Sequence, residues 1–189
     1  MIVGSMHPLF SALPELADDL SRFEHDVTTF AQQLGLNLAG VEIDHISLRC
    51  HQNQTAERWA SQLAQHGRCF SDAVIAGRPI HLYQLHQPLD VFSHSIQIVE
   101  LPWPGEKRYR HEGWEHIEIV LPGTPEELGQ RAMALIDDSG LLIPGVSVKT
   151  RRPKVKDGAL DNTTLAITNG EVTLKFHTWS IDKIVASEQ

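Results

Sequence analysis

The chain has 189 residues, 41% hydrophobic and 21% charged, an ordinary make-up for a folded globular domain that excludes a disordered or fibrous chain. Its 16 Lys and Arg against 24 Asp and Glu leave a net charge of −8, without the overall basic footprint of a nucleic-acid binder. No apolar run approaches the roughly 18 residues of a membrane span. Residues 1–6 are apolar, but too short and without the basic start of a signal peptide. The two cysteines, Cys50 and Cys69, make no disulfide framework, and Cys50 reads as a small buried hydrophobe. The expected compartment is the cytoplasm, with neither membrane nor nucleic acid as partner and the oligomeric state open.

In chain order, Leu13, Leu16, Leu20, Phe23, Val27, Phe30 and Leu34 recur every three or four residues, which predicts a helix over 13–34. Polar residues 24–26 suggest a break into two helices, and Gly35 a stop. Residues 43–50 alternate as a strand, with Ile46, Leu48 and Cys50 on one face and His45, Ser47 and Arg49 on the other. A helix over 56–66 follows, with Thr55 as its N-cap, ended by Gly67. Residues 69–75, 79–85 and 94–101 read as strands, with a turn at 77–79.

The pattern then starts again. Residues 115–121 alternate, with His116, Glu118 and Val120 opposite Ile117, Ile119 and Leu121. Thr124, Pro125 and Glu127 form a capping-box signature for a helix running to about residue 138. Residues 146–149, 163–168 and 171–177 read as strands, 151–162 as a long polar Lys-rich loop, and 179–187 as a short closing helix. The order strand–helix–strand–strand–strand thus occurs twice, each copy opened by an acid–His–Ile triplet: Asp44-His45-Ile46 and Glu115-His116-Ile117. We divide the chain into a helical extension (1–40) and two modules (41–104 and 105–189) of one α+β domain.

In each opening strand the apolar face needs cover, and the module's own helix can supply it. His45 and His116 therefore occupy equivalent positions on the opposite face. The last strand of the first module delivers Glu100, and that of the second His177. Imidazole and carboxylate together suit a borderline divalent metal. Alternation, however, places Glu100 with Ile96 and Ile98, so either a bulge intervenes or that face has an apolar wall. A lone strand histidine is more often a hydrogen-bonded core residue than a ligand; it is the repeat-equivalent placement that singles out His45 and His116. The run Lys107-Arg108-Tyr109-Arg110 reads as a solvated linker, and Trp103 and Trp114 as packing residues.

The double strand–helix–three-strand repeat, with His in both opening strands and Glu ending a fourth, resembles the vicinal oxygen chelate (glyoxalase-like) superfamily. Within it, residues 13–189 resemble the YecM family of bacterial cytosolic proteins. The stretches that carry the likeness are 44–51, 99–109, 111–118, 175–177 and 179–181. The resemblance implies paired βαβββ modules curled around a divalent metal (Zn, Ni, Fe or Mn), with His45, His116 and Glu100 as ligands. His177 stands where a second carboxylate is usual and is the expected fourth ligand, which would make a three-His, one-carboxylate site. On this basis the expected protein is a metal-dependent enzyme acting on a small polar or anionic molecule. Glu118 is the candidate base, and Arg49 and Lys175 are candidate contacts to an anionic group. The alternative is a non-catalytic small-molecule binding protein on the same fold.

Overall fold

The computed structural model describes residues 7–189, so the reading of residues 1–6 lies outside it. The chain divides into two compact units, the first comprising Met1–Glu24 and His45–Glu115, the second His25–Asp44 and His116–Gln189. Helix α1 spans Leu9–Ala12 and α2 Pro14–Leu34. The expected break near residue 24 does not occur. Glu24, His25 and Asp26 lie on the exposed or half-exposed side of α2, while Phe23, Val27 and Phe30 keep the buried spacing unbroken. α2 ends at Gly35, whose φ of +70° suits the left-handed stop that glycine adopts without a Cβ clash.

The first unit contains β1 (Glu42–Arg49, from His45 on), α3 (Asn53–His66), β2 (Gly67–Ser71), β3 (Val74–Ile75), β4 (Arg78–Val91) and β5 (His94–Pro102). Its strands run in the order β2-β4-β5-β1, with β5 parallel to β1 and antiparallel to β4. β4 is longer than the sequence suggested. It continues through 86–91 because an irregularity between Gln84 and Leu89 accommodates Pro88, which cannot donate to a regular ladder. The helix after β1 is not capped by Thr55. It starts at Asn53, and Glu112, 57 residues beyond Thr55, serves its first turn instead. The Glu112 carboxylate accepts the His51 and Gln52 backbone N–H groups at 2.9 and 3.2 Å, and both the Gln52 amide and the Thr55 hydroxyl at 2.9 Å. Trp59 and Leu63 of α3, Leu9, Leu16 and Leu20 of the N-terminal helices, and Leu13 between those helices, are buried in this unit.

The second unit contains β6 (Gly113–Val120, from His116 on), α4 (Leu128–Ala134), α5 (Asp138–Leu141), β7 (Ser147–Arg151), β8 (Thr164–Thr168), β9 (Thr173–His177) and α6 (Ile181–Ser187). Its strand order is β6-β9-β8-β7, with β9 parallel to β6 and antiparallel to β8. Opening strand beside last strand, in parallel, is thus common to both units, and the fold is α+β with two βαβββ modules behind an N-terminal helical segment. The capping box at Thr124 does not form. Residues 125–127 make a 3-10 turn without a side-chain cap, and Arg131 donates to the Thr124 and Leu121 carbonyls. The helix stops at Ala134 rather than near residue 138. The next residues dock on the end of α2, where the Asp137 N–H bonds the Leu34 carbonyl at 2.7 Å. Among the described residues, no helix is long and apolar enough to cross a membrane.

Candidate functional site

In the first unit, His45 is fully buried on β1, and the parallel ladder sets it opposite Ile98 and sets Ser47 opposite Glu100. Residues in register share a sheet face, so Glu100 lies on the His45 side. Its Oε2 is 3.8 Å from His45 Nε2, and its Oε1 accepts the Ser47 hydroxyl at 2.8 Å. Of the two alternatives for Glu100, the apolar wall is the one observed: β5 keeps its alternation there, and half-buried Ile98 shares the face with the polar groups. Arg49 is on the same strand but engaged by its own unit. Its guanidinium meets Glu115 at 2.8 Å and stacks 4.3 Å from the Tyr109 ring centroid. Tyr109, read from sequence as part of a solvated linker, is thereby tied to β1.

In the second unit, β6 brings His116 and Glu118 to one face, with Nε2 of the imidazole 3.3 Å from Glu118 Oε2. β9 adds Lys175 opposite Glu118 and His177 opposite Val120. His177 is fully buried, its Nδ1 3.9 Å from Glu118 Oε1 and its Nε2 3.5 Å from Asp44 Oδ2. Asp44 also accepts the Ile181 N–H at 3.0 Å, so it joins the start of α6 to His177. Glu118 thus presents one oxygen to each of two imidazoles, and Asp44 backs the second. Asp44 was visible in sequence only as the acid of the Asp-His-Ile triplet, and Ser47 only as a face-mate of His45. Neither position carries a spacing signal for its partner, because the partner is on another strand.

The ladders also align the two modules residue by residue. Both histidines are fourth in eight-residue strands. Two positions on, Ser47 faces Glu100 in the first unit and Glu118 faces Lys175 in the second. The positional counterpart of Glu100 is therefore Lys175, with His177 two residues further along. The second unit carries its carboxylate one strand over, at the counterpart of Ser47.

Trp114, Trp103 and Cys50 have structural roles. The Trp114 indole N–H donates to the Leu16 carbonyl at 3.0 Å, and that of Trp103 to His81 Nδ1 at 3.2 Å. Burial lowers the His81 pKa and raises that of the Cys50 thiol to about 12, so Cys50 is an inert core residue.

The sequence matches the family described as YecM protein over residues 12–188. It is 58% identical over 177 residues to "Protein YecM" of Escherichia coli (strain K12), covering 94% of each chain. It is 35% identical over 176 residues to an uncharacterised protein of Haemophilus influenzae (strain ATCC 51907 / DSM 11121 / KW20 / Rd), covering 90% of this chain and 92% of that one. A solved structure described as "Structural Genomics, Protein EC4020" is similar with a TM-score of 0.89 and 55% identity, over 97% of this chain and 98% of that one. On this similarity along nearly its whole length, the chain belongs to the YecM family.

Proposed function

We propose that the protein is a metal-dependent enzyme acting on a small polar or anionic molecule, with the imidazole–carboxylate pairs His45–Glu100 and His116–Glu118 as its candidate ligands for a divalent cation of the Zn, Ni, Fe or Mn class. The observation that carries the reading is that each unit sets a buried imidazole beside a carboxylate on one sheet face, His45 with Glu100 and His116 with Glu118. The donor chemistry fits, since in each pair a neutral imidazole stands with an anionic carboxylate, a combination that suits a borderline divalent ion. When bound, such an ion supplies Lewis-acid polarisation of a substrate oxygen.

In this reading Glu118 and His177 exchange the roles expected from sequence. Glu118 is the carboxylate counterpart in the second module and becomes a ligand. His177, buried against Asp44, becomes the positioning residue that holds Glu118. Lys175, half-buried and in register with Glu118, receives an anionic group of the substrate, whereas Arg49 holds Glu115 and Tyr109 in place.

The test is calorimetric titration of untagged protein with Zn²⁺, Ni²⁺ and Mn²⁺, alongside Glu118→Gln and His177→Ala. Loss of a ligand should weaken binding by about 100-fold, and loss of the positioning imidazole by about 10-fold. Absence of binding by the parent protein defeats the metal reading. A larger loss in His177→Ala than in Glu118→Gln returns His177 to the ligand set.

A further inference from the structure

We propose that the second unit carries a phosphate-binding subsite over strand β8, formed by Lys149, Arg151 and Lys175, which receives the phosphoryl group of a phosphorylated small molecule. It rests on the preceding reading only in supplying the substrate class for that chemistry. The argument comes from the ladder registers. Glu118 pairs with Lys175, Lys175 with Ala166, and Ala166 with Lys149, so these four lie in one row on one face of the sheet. The neighbouring row runs Val120, His177, Thr164 and Arg151. The opposite face is the one that buries Leu165, Ile167, Leu174 and Phe176.

On the His116 face, β8 therefore contributes small or short side chains, Thr164 and Ala166, both half-buried. Cations stand on the strands to either side: half-buried Lys175 on β9, and exposed Lys149 and Arg151 on β7. Neighbouring strands lie about 4.8 Å apart, so an anion above Ala166 is one strand from each flanking row, within reach of a lysine or arginine stem. A guanidinium fork with two ammonium groups suits a dianion with several acceptor oxygens better than a single carboxylate. The spot above Ala166 is about two strand spacings, roughly 10 Å, from Glu118. A short carbon skeleton spans that distance, with its phosphoryl end on β8 and its reacting end toward His116 and Glu118.

The same cations have a plainer explanation, as charges that keep the β7 edge from pairing with other chains. The experiment separates the two. The full chain, without added metal, is titrated with inorganic phosphate while the backbone amide signals of Thr164, Ala166 and Lys175 are followed by NMR. The proposal expects saturable shifts at these residues. It also expects affinity about 10-fold or more lower in Lys149→Ala/Arg151→Ala, the loss of charge-assisted contacts. Arg152→Ala/Lys154→Ala removes equal charge just beyond the strand and should leave phosphate affinity within about threefold. Equal weakening by both double variants, or absence of saturable shifts in the parent protein, overturns the subsite. Each protein is titrated separately with Mn²⁺. Phosphate binding that depends on Lys149 and Arg151, in a protein that takes up no metal, keeps the subsite and defeats the enzyme reading. The reverse outcome defeats the subsite alone.

Discussion

Glu112 does the work of a helix cap from a distant part of the chain. Burial alone would raise its pKa, but donation from the His51 and Gln52 backbone and from the Thr55 and Gln52 side chains outweighs burial and holds the carboxyl below its ordinary value. A carboxyl whose folded pKa is depressed adds stability above its unfolded value of 4.5, and this is lost as pH falls through the folded value. Glu112→Ala should therefore cost about 1–2 kcal/mol at pH 7. The gap between variant and parent should shrink below pH 4.5, as followed by urea unfolding across pH. A gap that persists unchanged in acid would assign the effect to packing. Asp44 likewise serves a distant helix, accepting the Ile181 N–H at the start of α6. Asp44→Asn keeps an acceptor for the Ile181 N–H but removes the charge beside His177, so α6 should persist while the His177 ring signals shift in NMR. Loss of α6 from the circular dichroism spectrum would show that the carboxylate's charge is needed for the helix as well.

At the level of elements, two glycines mark where backbones approach too closely for a side chain. A Cβ on Gly140 of α5 would stand 2.5 Å from the Gln33 carbonyl oxygen and 2.8 Å from the Leu34 Cα, so α5 sits directly on the end of α2. A Cβ on Gly67 would stand 2.5 Å from the Gln84 carbonyl oxygen, which is why α3 passes into β2 without a loop residue. Both contacts are with backbone, which cannot rotate away. Gly140→Ala and Gly67→Ala should each cost about 1–3 kcal/mol, readable as a lowered denaturant midpoint with unchanged slope. A stability equal to the parent's would mean the elements separate at little cost.

For the whole molecule, a ligand bound only by the folded state raises stability with its concentration, by about 2.7 kcal/mol at 100 times its dissociation constant. At this chain length that corresponds to a rise of about 5–10 °C in Tm. Zn²⁺, Ni²⁺ or Mn²⁺ should produce such a rise in the parent protein and little in His116→Ala or His45→Ala. An equal rise in all three proteins would place the cation elsewhere.

Periodicity alone determined the large elements. α2, both opening strands, α3 and the βαβββ order were legible because their apolar residues repeat at 3.6 or 2 over eight or more residues, and burial rewards that pattern locally. His45 with Ser47, and His116 with Glu118, were legible as face-mates for the same reason, since alternation along one strand decides which side chains share a side. What alternation cannot decide is register between strands that are distant in the chain. Hydrogen-bond ladders set that register, so only the folded chain placed Glu100 beside Ser47, Lys175 beside Glu118, and Asp44 beside His177. The capping of α3 by Glu112 and the early end of α4 depend on long-range partners in the same way. In each, a backbone group is satisfied or crowded by a distant residue, and short-range sequence signals carry no term for that partner.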